Sequence, residues 1–168
     1  GQELYYAYAM VQDVKEADLD SNDGKYEITM ITNNGTADTA GMKITGFADE
    51  NSQLFIGKAP SASGLTRTAS IQTPKVLMPK MVVRRDGTDL QSTFVNIMEP
   101  YAADSSAKIT SVEKINTTNP KDVVIKVTYP SNLIENCNIT DVIISNSNPS
   151  APLTVGDITL NGKMAFVR

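Results

Sequence analysis

The run Asp122-Val-Val-Ile-Lys-Val-Thr-Tyr129 decides the fold. Val123, Ile125, Val127 and Tyr129 alternate with Val124, Lys126 and Thr128. Successive side chains of an extended chain point to opposite faces, so a period of two marks a strand, whereas a helix repeats its apolar stripe every 3.6 residues. The same pattern recurs on both sides of this run. Residues 25–32 put Tyr26, Ile28 and Met30 on one face, with Glu27 and Thr29 on the other. Further strands are expected at 4–14, 40–48, 53–57, 76–85, 90–99, 109–115, 139–145, 153–160 and 164–167, divided by Gly, Pro, Asn, Asp and Ser clusters. Ile109, Val112 and Ile115 have helical spacing, but turn residues flank them and a bulged strand explains them as well. About eleven strands without a convincing amphipathic helix predict an all-β fold, an antiparallel two-sheet β-sandwich. With 168 residues and no composition break, the chain reads as one domain, residues 1–168.

The stretch Met81-Val-Val-Arg-Arg-Asp-Gly-Thr-Asp-Leu-Gln-Ser-Thr-Phe-Val-Asn-Ile-Met-Glu-Pro-Tyr101 reads as a β-hairpin turning at Asp86-Gly87 and ended by Pro100. Pro79 cannot donate to a ladder, so its strand is expected at an edge or bulged there. Residues 59–74 form a long Ser/Thr/Ala/Gly/Pro connection without apolar period.

Composition excludes several functions. The 15 basic against 19 acidic residues give a net charge of −4, which argues against broad nucleic-acid binding. No apolar run is long enough for a membrane span, and no signal peptide is legible. Gly1 reads as the residue left by a cleaved tag, which would hide a natural signal. The lone Cys137 rules out an internal disulfide and reads as a small buried hydrophobe. The chain contains no histidine, which removes Ser-His and Cys-His nucleophiles and most zinc sites. It contains no tryptophan, so only Tyr and Phe remain for stacking on sugar rings.

Four constellations carry candidate chemistry. Lys80, Arg84 and Arg85 form the one basic cluster, and because adjacent strand residues face opposite ways, at most one arginine shares a face with Lys80. That arginine is a candidate contact for a uronate carboxylate or sulfate; the alternative is a solvated pair bridged to Asp86 or Asp89. Tyr6 and Tyr8 share a strand face and are a candidate stacking strip, or else half-buried sheet packing. Asp18, Asp20 and Asn22 place oxygen atoms on alternate residues, as a calcium loop does. Yet Gly24 falls one position late for the EF-hand spacing, and Thr29 stands where the bidentate acid belongs, so the segment reads as a turn and neither metal nor cofactor is expected. Tyr101, after Glu99-Pro100, reads as a corner residue covering the core's end.

These pieces also resemble a known family. The run "RR-(E/D)-G … L-x-S-T-F-V-x-(V/I)-x-E-P-Y" occurs in the C-terminal β-sandwich region of heparinase II/III-like polysaccharide lyases, and residues 84–101 are similar to it. Gln53-Leu-Phe-Ile-Gly-Lys-Ala-Pro60 resembles that family's "G-x-A-P" turn, and Thr110-Ser-Val-Glu-Lys-Ile115 its "I-x-S-V-E-x-L" segment. Asp141-Val-Ile-Ile-Ser145 and Gly162-Lys-Met-Ala-Phe-Val-Arg168 resemble its late "D-x-I-I" and "G-x-x-A-x-V-R" strands. The resemblance implies a non-catalytic accessory domain, structural or lining a cleft for acidic polysaccharide, partnered by an upstream α-helical toroid. It also implies a secreted or periplasmic parent. The family's lyase reaction removes a proton α to a uronate carboxylate with Tyr and His; without histidine, no catalytic residue is carried onto this chain. An independent carbohydrate-binding or adhesive sandwich is the alternative, and a free-standing lyase the third reading.

Overall fold

The computed structural model describes residues 11–31, 40–60, 77–102 and 104–168. Among these the protein is all-β, with twelve strands and no helix. In chain order they are β1 (Gln12–Ala17), β2 (Lys25–Ile31), β3 (Gly41–Phe47), β4 (Ser52–Pro60), β5 (Leu77–Arg85), β6 (Val95–Tyr101), β7 (Ser111–Lys114), β8 (Val123–Pro130), β9 (Asn138–Ser145), β10 (Leu153–Val155), β11 (Ile158–Leu160) and β12 (Met164–Val167). The chain divides into two compact units, one of Gly1–Tyr26 with Ala48–Phe94, the other of Glu27–Phe47 with Val95–Arg168.

The second unit is a β-sandwich. One sheet has the order β2-β3-β6, and the facing sheet has the order β12-β9-β8-β7. The alternation in β8 sets the layers. Ile125 and Val127 face Phe47, Val95 and Ile97 of the opposite sheet, closing a core with Val112. Val124 and Ile144, both fully buried, face the other way, and the small β10-β11 hairpin covers them with Leu153, Val155, Ile158 and Leu160. Both faces of β8 and β9 are therefore covered, and each large apolar side chain buried there stabilises the fold by roughly 1.5–3 kcal/mol. Residues 153–160, expected as one strand, fold back on themselves because Gly156 takes φ +55° at the head of a two-residue Gly156-Asp157 turn.

The first unit holds a sheet of order β1-β4-β5. Its register pairs Leu54 with Val83 and Gln53 with Arg84, continuing from Ser52↔Arg85 to Pro60↔Leu77. Pro79 lies opposite Lys58 on β5, which ends the strand order, as a missing N–H requires. β1 begins later than the sequence suggested, and the expected residues 4–10 lie outside the described ones. Asp13 at φ 52° marks a bulge, where the register slips between Gln12 and Lys15.

The expected hairpin of 81–101 is not formed. β5 pairs with β4, and β6 pairs with β3 in the other unit. A two-residue type I′ turn needs positive φ at both central residues, and here only Asp89 in the connection has it, at 53°. The backbone of 91–93, expected in a strand from residue 90, is instead satisfied by side chains. Arg85 Nη1 donates to Gln91 O at 2.9 Å, and Thr93 N donates to Asp49 Oδ2 at 2.9 Å. β6 therefore starts at Val95, and it runs on through Pro100, which an edge strand tolerates. Tyr101 lies opposite Gly41, and its ring occupies the space a side chain at Gly41 would need.

Candidate functional site

On β5 the alternation assigns the basic residues to faces. Lys80, Val82 and Arg84 share the face of Gly57, Phe55 and Gln53, and Arg85 turns the other way with Val83, Leu54 and Ser52. Arg84 is therefore the arginine that shares Lys80's face. Its Nε donates to Asp86 Oδ1 at 3.1 Å and its Nη2 lies 2.7 Å from Oδ2, a forked pair with both partners mostly exposed. Arg85 serves the fold. It donates to Glu50 O and Gln91 O, both at 2.9 Å, and reaches Asp49 at 3.4 Å, with both side chains of that pair about one-fifth exposed. Half-buried, its guanidinium also donates to Ser92 Oγ at 3.3 Å, so its Nε and Nη1 groups are spent on the chain's own acceptors. Lys80 is exposed.

The acidic loop works as a turn. Asp20 Oδ1 accepts the Asn22 N–H at 2.8 Å, and Asp23 Oδ1 accepts the Lys25 N–H at 2.9 Å. Gly24 takes φ +68° against the Ala48 carbonyl. Among the described residues no three His, Cys, Asp or Glu side chains gather as a metal site, Asp18 and Asp20 included. Tyr6 and Tyr8 lie outside the described residues. Cys137 corrects its expectation: it is exposed, in the β8–β9 loop. Leu133 and Ile134 of the same loop stand in the solvent while Ser131 Oγ accepts both of their N–H groups.

The sandwich holds a cleft that the sequence did not announce. It has a volume of about 350 Å³, walled by Ile97 of β6, Ile109, Val127 of β8, Ile143 of β9 and Phe166 of β12. Phe166 is 60% exposed, so the cleft opens to solvent. Its polar groups are Glu99, Lys108, Tyr129 and Asp141. Both carboxylates are already engaged. Glu99 accepts the Lys108 and Ile109 N–H groups. Asp141, nearly buried, accepts Tyr129 Oη at 2.7 Å, Arg168 Nε at 2.8 Å and Arg168 Nη2 at 3.0 Å. Arg168 Nη2 also donates to Tyr129 Oη at 2.6 Å. The guanidinium carbon stands 5.9 Å from the ring centres of both Tyr129 and Phe166.

These contacts set the electrostatics. The hydrogen bonds from Arg168, then that from Tyr129, hold Asp141 below the ordinary aspartate range. The bond to Asp141, with burial, pushes the Tyr129 phenol above its ordinary value, and Arg168 is held protonated still more firmly. Asp141 and Arg168 stand in two of the family-like segments, and Tyr129 ends the fold-deciding run. No single-residue signal links them, because their meeting depends on which strands are neighbours. The chain matches no family model, and no curated protein or solved structure is significantly similar to it.

Proposed function

We propose that this chain is a non-catalytic accessory β-sandwich domain of a polysaccharide-lyase-like protein, and that the Lys80–Arg84 face of β5 contacts an acidic polysaccharide. The single observation behind this reading is the pairing of those two cations on one exposed face of an edge strand. Among the described residues the Arg84 fork is occupied only by Asp86, an exposed neighbour that a uronate or sulfate can displace. Four residues of strand separate the two cations by about 13 Å, a spacing suited to successive charges along an extended polymer. The upstream toroid and a secreted or periplasmic parent follow from the resemblance and belong to the same proposal.

Titration of the chain with heparin, alginate and chondroitin sulfate tests it. Salt-sensitive binding to at least one polymer is expected, weakened at least tenfold by Lys80→Glu with Arg84→Glu and left intact by Lys121→Glu. No ultraviolet absorbance of an unsaturated uronate is expected to grow in the mixture. Growth of that absorbance would make the chain a lyase in its own right. Binding indifferent to both charge reversals, or none at all, would remove the β5 face from the reading.

A further inference from the structure

We propose that β12 is a self-association edge, on which a second copy of this chain lays its own β12 antiparallel across a twofold axis at Ala165. The proposal does not rest on the accessory-domain reading. β12 ends the order of its sheet, and Met164 and Phe166 on it are 68% and 60% exposed. An open strand edge is a template for pairing, and folds block it with charges, prolines or bulges. In the sheets of three or four strands the other edge strands carry such blocks. These are the Asp13 bulge in β1, Glu27 in β2, Pro79 in β5, Pro100 in β6, and Glu113 with Lys114 in β7. Among the described residues of those sheets, Met164-Ala-Phe-Val167 is the edge strand that carries none.

Backbone direction and side-chain parity select a second copy as the partner. The Lys163 carbonyl, just before β12, accepts the Asn146 N–H at 2.8 Å, one step beyond the Met164↔Ser145 pair. In an antiparallel ladder the N–H and C=O of one residue point to the same neighbour, and the next residue's point the other way. The backbone groups of Lys163, Ala165 and Val167 therefore face β9, and those of Met164 and Phe166 face out of the open edge. A twofold axis on Ala165 sets Met164 of each copy opposite Phe166 of the other, and each of these pairs exchanges both of its N–H···O bonds. Ala165 then meets its own copy as a non-hydrogen-bonded pair, where the Cα atoms approach to about 4.5 Å and a small side chain fits. Directly opposed residues share a sheet face, so each Met164 thioether lies against a Phe166 ring, a favourable contact for sulfur. The flanking charges avoid one another, because Lys163 comes opposite Val167 and Arg168 opposite Gly162. The strand thus complements itself in backbone, size and charge, as a twofold contact requires. So short a contact buries less than the roughly 1,200 Å² of a stable interface, so the dimer is weak and reversible.

Sedimentation and NMR of the chain from micromolar to millimolar concentration test this. A monomer–dimer equilibrium is expected, with the Met164 and Phe166 amide signals moving as the dimer fills and those of Glu113 and Lys114 on β7 staying in place. This readout needs no variant. Met164→Lys and Phe166→Glu, both at exposed positions, are each expected to weaken dimerisation at least tenfold while melting near the temperature of the parent chain. Mixed in equal amounts the two variants should pair again, because the register sets the new lysine of one directly opposite the new glutamate of the other. A chain that stays monomeric at millimolar concentration would overturn the proposal. So would a dimer indifferent to both substitutions, a dimer that moves the β7 amides instead, or folded variants that fail to recover on mixing.

Discussion

At the scale of single residues, Asp141 carries the most consequence. It is nearly buried on β9, and it ties β8 through Tyr129 to the end of β12 through Arg168. Its carboxyl is held below the ordinary aspartate range, so the folded state binds its proton less readily than the unfolded chain does. Stability from this group is therefore complete above the unfolded value, about 3.9, and is lost as pH falls through and below it. The melting temperature of the native chain should drop on the acid side more steeply than that of Asp141→Asn, and the two curves should run parallel from pH 5 to 8. Tyr129 has the opposite sign. Its raised value means a contribution that is complete below about pH 10 and lost above it, so Tyr129→Phe should flatten the alkaline limb of the same curve. A spectrophotometric tyrosinate titration checks this independently, and the late-titrating phenol should vanish in that variant. None of this clasp was legible residue by residue. Tyr129, Asp141 and Arg168 are common residue types, and only strand adjacency in the order β12-β9-β8 brings them together. The faces of Lys80, Arg84 and Arg85, by contrast, followed directly from strand parity.

At the scale of elements, periodicity told strands from helices and did not tell partners apart. β8 and β9 were legible to within a residue or two because their alternation is strong and both of their faces are covered. The 81–101 segment misled, because an Asp-Gly pair looks like a tight turn wherever it stands, whereas Arg85 and Asp49 here hold the connecting backbone open. Arg85→Ala should therefore act on the connection more than on either strand. It leaves Asp49, about one-fifth exposed, without its cation, and the Gln91 carbonyl without a donor. A cost of about 1–3 kcal/mol in denaturant unfolding is expected for such unpaired groups. Arg84→Ala, removing an exposed pair beside it, should change stability very little. Two turn glycines separate backbone strain from crowding in the same way. Gly156 at φ +55° has open space around it, so Gly156→Ala should cost only the left-handed conformation, about 1–2 kcal/mol. Gly24 at φ +68° stands against the Ala48 carbonyl, so Gly24→Ala must also move backbone and should cost clearly more. Equal costs in the two variants would mean that the Gly24 turn relaxes freely.

At the scale of the molecule, stability should be graded, because apolar cover is distributed unevenly among the strands. Val124, Ile125 and Ile144 are buried to within 1%. Their strands lie between two apolar layers, with the opposite sheet on one side and the β10-β11 hairpin on the other. β1 is the other extreme: five of its six residues are exposed, it ends the order of its sheet, and a bulge interrupts its pairing with β4. Amides exchange with solvent through the cheapest opening that frees them, and a strand with little buried surface opens at small cost. Native-state hydrogen exchange should therefore find the slowest amides in the centre of β8 and β9, exchanging only with global unfolding of their unit. The β1 amides should exchange through a local opening whose rate barely responds to denaturant, since little surface is exposed when that strand detaches. Ile144→Ala, which opens a cavity at a fully buried site, should lower the β8 and β9 plateau by about 2–5 kcal/mol and leave exchange from β1 unchanged. Equal protection of β1 and β8, or a shared response to Ile144→Ala, would show that the two sheets open as one body and that burial does not set the order of their unfolding.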